Sequence, residues 1–341
     1  MRKNHRISRL TLFFTLGSMI VFVLLVGVAA SAQDVHVRVS PEYPRTMEST
    51  DRYPTIQMAL DHASQPGSGG RLYLEIAPGI YHERVIVTQN RPRTTMIGKG
   101  AQPGDVVITA SQNAMSAGGT FFTSTAEIYG PEFEADNLTF ENTAGNTGQA
   151  VAITVRSDRA IFKKCRFLGD QDTLFADFGR QYYLDSYIQG GVDFIFGNAT
   201  AVFDDSEVHI IRPGYLTAQS RTSHDQQTGF IFLHVRITSA DLDGKEFFLG
   251  RPWRQFSRVV FLDSEMPESL SPQGWSPWSK GVSIQDAYYA ERGSTGPGAR
   301  VQSRLQGSHQ LNAAEAAQFM PKRFLAGSDH WNSVAEAARL P

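Results

Sequence analysis

The sequence predicts an all-β fold, a right-handed parallel β-helix with short capping helices at its ends. Three observations predict it. Helical periodicity is confined to the two ends of the chain. The middle is made of short β-branched and aromatic runs broken by Gly and Asn, and one six-residue template recurs along it.

The N-terminus reads as a leader rather than as part of the fold. Arg2, Lys3, Arg6 and Arg9 precede an apolar run from about Leu12 to Val28, and Ala30-Ser31-Ala32 offers a small-x-small cleavage site. The run approaches spanning length, so an uncleaved anchor is the competing reading. No basic stop-transfer flank follows it, which favours cleavage after Ala32. Residues 33–341 are then one β-helix domain, long enough to bury its core unaided. Loss of the four basic residues takes the formal charge from −2 to −6, which speaks against nucleic acid or an anionic membrane as partner. The expected product is a monomer, secreted or periplasmic. Its one cysteine, Cys165, allows no intrachain disulfide and lies in an apolar strand pattern, where a reactive thiol is not expected.

Along the chain, Tyr53 to Ser64 carries an i, i+3, i+4, i+7 stripe of Ile56, Ala59, Leu60 and Ala63, the mark of a helix. Leu72–Ile76, Val85–Val87 and Val106–Ile108 read as strands. The template follows in Phe162–Phe167, Tyr183–Ile188, Phe203–Val208, Phe232–Ile237 and Phe261–Met266. Each copy has an aromatic, two variable residues, a small residue, a variable residue and a bulky one. Ala135–Phe140 is a weaker copy with Leu138 at the small position. Successive small positions lie 27, 21, 20, 29 and 29 residues apart. A floor near 20 with irregular excess fits coils of fixed strand length whose corners release variable loops. A β-sandwich would have no reason to repeat one template. Asn312 to Met320 and Trp331 to Leu340 read as short helices, expected to cap the end of the stack.

The candidate site falls on that ladder. Asp172 follows Cys165 by seven residues and Asp193 follows Ser186 by seven, so both occupy one register on adjacent coils. Neighbouring parallel strands lie about 4.8 Å apart, which puts the carboxylates roughly 5–7 Å from each other. Arg251 precedes Ser264 by thirteen residues, as Asp193 precedes Ser206, and is expected one coil beyond Asp193. Flanked by Val192 and Phe194, Asp193 would be neutral by burial alone, and a nearby Arg251 would hold it ionised. Asp172 lies closer to a second acid, and two carboxylates in one site push their pKa values apart, so one can remain protonated as a general acid, with the Gln171 amide beside them. Asp170, next to Gly169, reads as a surface acid at a turn.

Five strings occur in order: Gly79-Ile-Tyr81-His-Glu83, Gln149-Ala-Val-Ala152, Gly169-Asp-Gln-Asp-Thr-Leu174, Asp193-Phe-Ile-Phe-Gly197 and Leu249-Gly-Arg-Pro-Trp253. Together they resemble the signature blocks of the pectin methylesterase (pectinesterase) family, and the likeness runs from about Tyr53 to Trp331. The resemblance implies Asp193 as nucleophile, Asp172 as general acid and base, and Gln149 and Gln171 as the oxyanion-stabilising pair. It implies Arg251 as the residue that orients the nucleophile, with Trp253 and Phe196 lining a sugar cleft. Phe175 stands beside them where the family usually has tyrosine. Gly191 replaces a common threonine and Ser186 a common cysteine. The implied reaction is hydrolysis of galacturonate methyl esters in pectin (methylated homogalacturonan), without metal or organic cofactor. Gln149 rests on the resemblance alone, because counting leaves it two or three residues out of step.

Other chemistries fit less well. Asp204-Asp205 lacks the Gly-His-Gly and Arg-x-Lys strings of a polygalacturonase-like glycosidase, and no lyase-type calcium cluster with a poised base is evident. There is no Gly-x-Ser-x-Gly. Gly98–Gly104 misses the dinucleotide fingerprint, and His82-Glu83 has no second histidine at metal-site spacing. The sequons at Asn137 and Asn198 read as incidental. An esterase or thioesterase of another substrate, and a carbohydrate-binding β-helix without activity, remain as alternatives.

Overall fold

The computed structural model describes residues 33–44, 50–278 and 284–341. The expected leader, residues 1–32, lies outside them. The chain winds as a parallel β-helix, each coil passing through three walls. Among the described residues the first wall is a sheet of twelve strands, all of them paired in parallel. The second and third walls form one hydrogen-bonded sheet, because Tyr187–Gly197 and Glu207–Gln219 each run unbroken from one wall into the other.

The repeated template is the corner between the first and second walls. Its aromatics pair Phe162 with Tyr183, Tyr183 with Phe203, Phe203 with Phe232 and Phe232 with Phe261. Their rings stack at centroid distances of 5.0, 4.6, 4.7 and 4.5 Å, a column inside the helix. The residue before each small position turns the corner in the left-handed region: Asn137, Lys164, Asp185, Asp205, His234 and Asp263 have φ between 47° and 57°. Asn and Asp accept that conformation most readily of the non-glycine residues, and they fill four of the six corners. The small residue itself is dictated by hydrogen bonding. Ser186 Oγ accepts the N–H of Cys165 on the coil before and donates to the Leu184 carbonyl. Ser206 and Ser264 do the same for Ser186 and Val235. Cys165 is buried in this row and burial pushes its thiol pKa up, as expected of an inert cysteine.

The helix Ile56–His62 covers the N-terminal end through Ile56, Ala59 and Leu60, with Thr55 as its N-cap. The C-terminal segment departs from expectation. Its short helices Ala313–Ala316, Pro321–Phe324 and Ser333–Ala337 do not close the far end of the stack. They run back along the outer face of the first wall, where Leu311, Phe319, Leu325, Trp331 and Leu340 cover Ile161, Tyr182, Val202, Ile231 and Val260. That outer face is apolar, and leaving it wet would cost roughly 25 cal/mol per Å². Polar contacts lock the segment down: Arg180 holds Asp329 and Asp158, and Lys163 Nζ donates to the carbonyls of Leu340 and Pro341.

Candidate active site

The site sits where the second wall passes into the third. Asp172 lies between the strands Arg166–Leu168 and Leu174–Phe178, and Asp193 lies within Tyr187–Gly197. Pairing of Gln171 with Val192, and of Leu174 with Ile195, puts the two aspartates side by side on neighbouring coils, as the seven-residue count predicts. Both adopt the left-handed region, with φ of 64° and 51°. Such strain at two adjacent aspartates turns their carboxyl groups out of the regular strand alternation. On the Asp193 strand the register slips between Gly190 and Val192 and again between Val192 and Ile195, a bulge that bends the chain beneath the carboxylate.

Gln149 joins them directly. It forms a parallel bridge to Gln171 on the next coil, so the two glutamines and the two aspartates occupy three consecutive coils. The side-chain amides of both glutamines make no hydrogen bond to any described residue, and both line the same cavity of about 350 Å³ as Asp172 and Asp193. The apparent misfit in counting comes from the loop at Thr143–Gly148, whose length does not alter the pairing.

Arg251 binds Asp193 in a bidentate fork, Nε to Oδ1 at 2.9 Å and Nη2 to Oδ2 at 2.5 Å. Its position differs from the expected one. Thr217 pairs with both Ile195 and Gly250, so Arg251 lies two coils beyond Asp193, and its long side chain reaches back over the intervening coil. The guanidinium passes against the rings of Tyr215 and Trp278, 4.0 and 4.1 Å from their centroids.

Burial raises the pKa of both aspartates. Asp193 is pulled back by the two Arg251 bonds. Asp172 has no such bond and is raised well above the carboxylate range, first by burial and then by the charge on Asp193. The proton of the pair therefore belongs to Asp172 and the negative charge to Asp193.

Aromatic residues form the walls. Phe175 stacks on Phe196 at 4.5 Å, and Trp253 leans on Phe196 at 6.0 Å. Phe175 and Phe196 are almost fully buried, so Trp253 presents the more accessible ring. Phe121, half exposed, packs on Phe175 at 5.1 Å and overhangs the cavity from a separate loop. Phe121, Tyr215 and Trp278 were not legible as site residues. The Trp275-Ser-Pro-Trp278 pair is a signal that could have pointed to Trp278, although its other member, Trp275, is buried in the core.

Asp170 is not a surface acid. It is 7% exposed and pairs with Arg212 Nε at 2.5 Å. A Cβ on Gly191 would meet Arg212 Cγ at 2.5 Å, so the glycine in place of threonine lets this pair lie across the bulge. Neither sequon asparagine is idle: Asn137 bonds the carbonyls of Gly98 and Gly100, and Asn198 accepts from Thr228.

A family model described as Pectinesterase matches residues 46–328. The probable pectinesterase/pectinesterase inhibitor 64 of Arabidopsis thaliana is 37% identical over 304 residues, covering 83% of this chain and 50% of that relative. A pectinesterase of Daucus carota is 35% identical over 303 residues, covering 85% of this chain and 94% of that protein. The chain thus spans about half the length of the first of these curated relatives and nearly all of the second. Among solved structures, a pectin methylesterase from carrot superposes with a TM-score of 0.81 at 32% identity, over 92% of this chain and 98% of that one.

Proposed function

Since this chain belongs to the pectinesterase family, we propose that it hydrolyses the methyl esters of galacturonate units in pectin, with Asp193 as nucleophile. The observation that carries the reading is the Arg251 fork on Asp193 beside an Asp172 that lacks one. It supplies an ionised nucleophile and a protonated acid side by side.

The chemistry follows from those states. A carboxylate oxygen of Asp193 attacks the ester carbonyl, and the developing oxyanion is held by the free amides of Gln149 and Gln171. As the carbon–methoxy bond breaks, Asp172 gives its proton to the departing oxygen and methanol leaves. The galacturonate acyl group is now an anhydride on Asp193. Asp172, ionised by that transfer, takes a proton from water, and the hydroxide opens the anhydride at the sugar carbonyl. The demethylated unit, still within its polymer, leaves as the carboxylic acid and loses its proton to solvent, Asp193 is again a carboxylate, and Asp172 is again protonated. Arg251 fixes the Asp193 oxygens through both stages. Trp253 offers a face for a pyranose ring, with Phe196 and Phe175 behind it.

Every step uses side chains of this chain alone. The working protein is read as a monomer, secreted or periplasmic, acting on pectin after removal of residues 1–32. Among the described residues no helix is long and apolar enough to cross a membrane. The test is incubation of the protein with highly methylated pectin while methanol, reducing ends and unsaturated product are followed together. Methanol alone is expected. Reducing ends without methanol would overturn the esterase reading.

A further inference from the structure

We propose that Asp204, Asp205 and His234 form a binding site for a divalent transition-metal ion such as Zn²⁺, on the corner between the first and second walls. The three residues come together because the corners stack. Asp205 N–H donates to the Leu233 carbonyl and His234 N–H to the Leu262 carbonyl, so Asp205 and His234 are left-handed corner residues on successive coils. Asp204 ends its first-wall strand immediately before the corner.

The donor geometry suits such an ion. His234 Nδ1 lies 3.5 Å from Asp204 Oδ1 and 3.5 Å from Asp205 Oδ1. One donor atom from each of the three residues falls within 4.8 Å of the others. Ligand atoms about 2.0–2.1 Å from a tetrahedral zinc stand roughly 3.3–3.4 Å apart, so two of the three edges are nearly formed. One imidazole with two carboxylates favours zinc, cobalt or nickel over calcium, which takes six to eight oxygens. Water would complete the coordination, as the His234 and Asp205 side chains are open to solvent.

The buried member points to the ligand independently of this spacing. Asp204 is 8% exposed, at the rim of the apolar cluster under the C-terminal segment. Tyr182 donates to its Oδ2 at 2.7 Å and fixes the carboxylate plane, as outer partners do for metal-binding carboxylates. Oδ1, the atom turned toward His234, has no hydrogen bond. A carboxylate oxygen buried without a hydrogen bond, its nearest polar neighbour the His234 ring nitrogen at 3.5 Å, is costly. A cation seated between Oδ1, Asp205 and His234 removes that cost. The ion would join two coils at a corner where Val235 holds the small position and offers no hydroxyl to bridge them, unlike Ser206 and Ser264 on the flanking corners.

The experiment is titration of the metal-stripped protein with ZnCl₂ by calorimetry, repeated with CoCl₂ while visible absorption is recorded. His234→Asn and Asp205→Asn are the variants, since asparagine tolerates the left-handed corner and keeps the fold. The parent is expected to bind one ion that each variant loses or binds at least about tenfold more weakly. Cobalt bands of the intensity given by four-coordinate sites should appear in the parent alone. The thermal midpoint of the parent should rise with zinc while those of the variants stay put. Methanol release without added metal is expected to match the parent in both variants, because neither residue touches the cleft. No binding up to millimolar zinc, or binding of equal strength in His234→Asn, would overturn the proposal.

Discussion

Gln149 and Gln171 face each other across a parallel bridge between adjacent coils, with the Ala150 N–H donating to the Gln171 carbonyl at 3.0 Å. Backbone pairing therefore fixes their spacing, while both side-chain amides stay uncommitted toward the cavity that holds Asp172 and Asp193. Donors held this way cost no reorganisation when charge develops on the substrate. Replacement of Gln149 by Ala should lower kcat by about 10²–10³ with little change in KM. The measurement is initial rates of methanol release across pectin concentrations. A rise in KM alone would assign Gln149 to ground-state binding instead.

Arg251 sets the pH range of the reaction. Its two bonds draw the Asp193 pKa down against burial, and its charge acts in the same direction on Asp172. Without it both pKa values rise. Activity needs Asp193 ionised and Asp172 protonated, so Arg251→Ala should carry both limbs of the kcat/KM profile to higher pH. It should also reduce the maximum by at least about 10²-fold, in line with losing a preorganised charge. Arg251→Lys restores charge without the fork and should recover only part of the rate.

Asp172 trades stability for chemistry. Its folded pKa lies above the unfolded value, so the folded state holds a proton that the unfolded chain releases. Stability from this group is present below the unfolded pKa, near 3.8, and is lost as pH rises through the folded pKa. Asp172→Asn removes the titration. The variant should be inactive yet more stable than the parent at pH 7, and the gain should vanish below about pH 3.8. Urea unfolding at the two pH values decides it, and an equal gain at both would mean that packing, not charge, is responsible.

The Asp170–Arg212 pair crosses the bulge that carries Asp193. Arg212→Ala leaves the Asp170 carboxylate buried without its partner and should cost about 1–3 kcal/mol in urea unfolding. That range sits below the value for a fully buried pair because the Arg212 side chain is 27% exposed. Asp170→Asn combined with Arg212→Ala should recover most of the loss. Failure of the double variant to recover would show that Arg212 acts by packing its stem over Gly191.

The sequence by itself determined the coil and the two acids. Aromatic, corner and small residue recur because each is required locally: a ring to stack, a left-handed turn, and a hydroxyl or small side chain to pass the chain between walls. Where a coil has no inserted loop, counting residues is counting distance, so Asp172 and Asp193 were readable as neighbours. Only the tertiary structure decided the rest. Gln149 reaches its place through a loop whose length says nothing about strand pairing. Arg251 acts across two coils because a long side chain spans what backbone register does not. Asp170 is buried by Arg212, distant in sequence, and the C-terminal helices lie along a wall because that wall is apolar on its outside. Phe121, Tyr215 and Trp278 come to the site from separate loops and coils. Separation along the chain measures none of these, since loop length, side-chain reach and the burial of a distant face are set by the assembled coil.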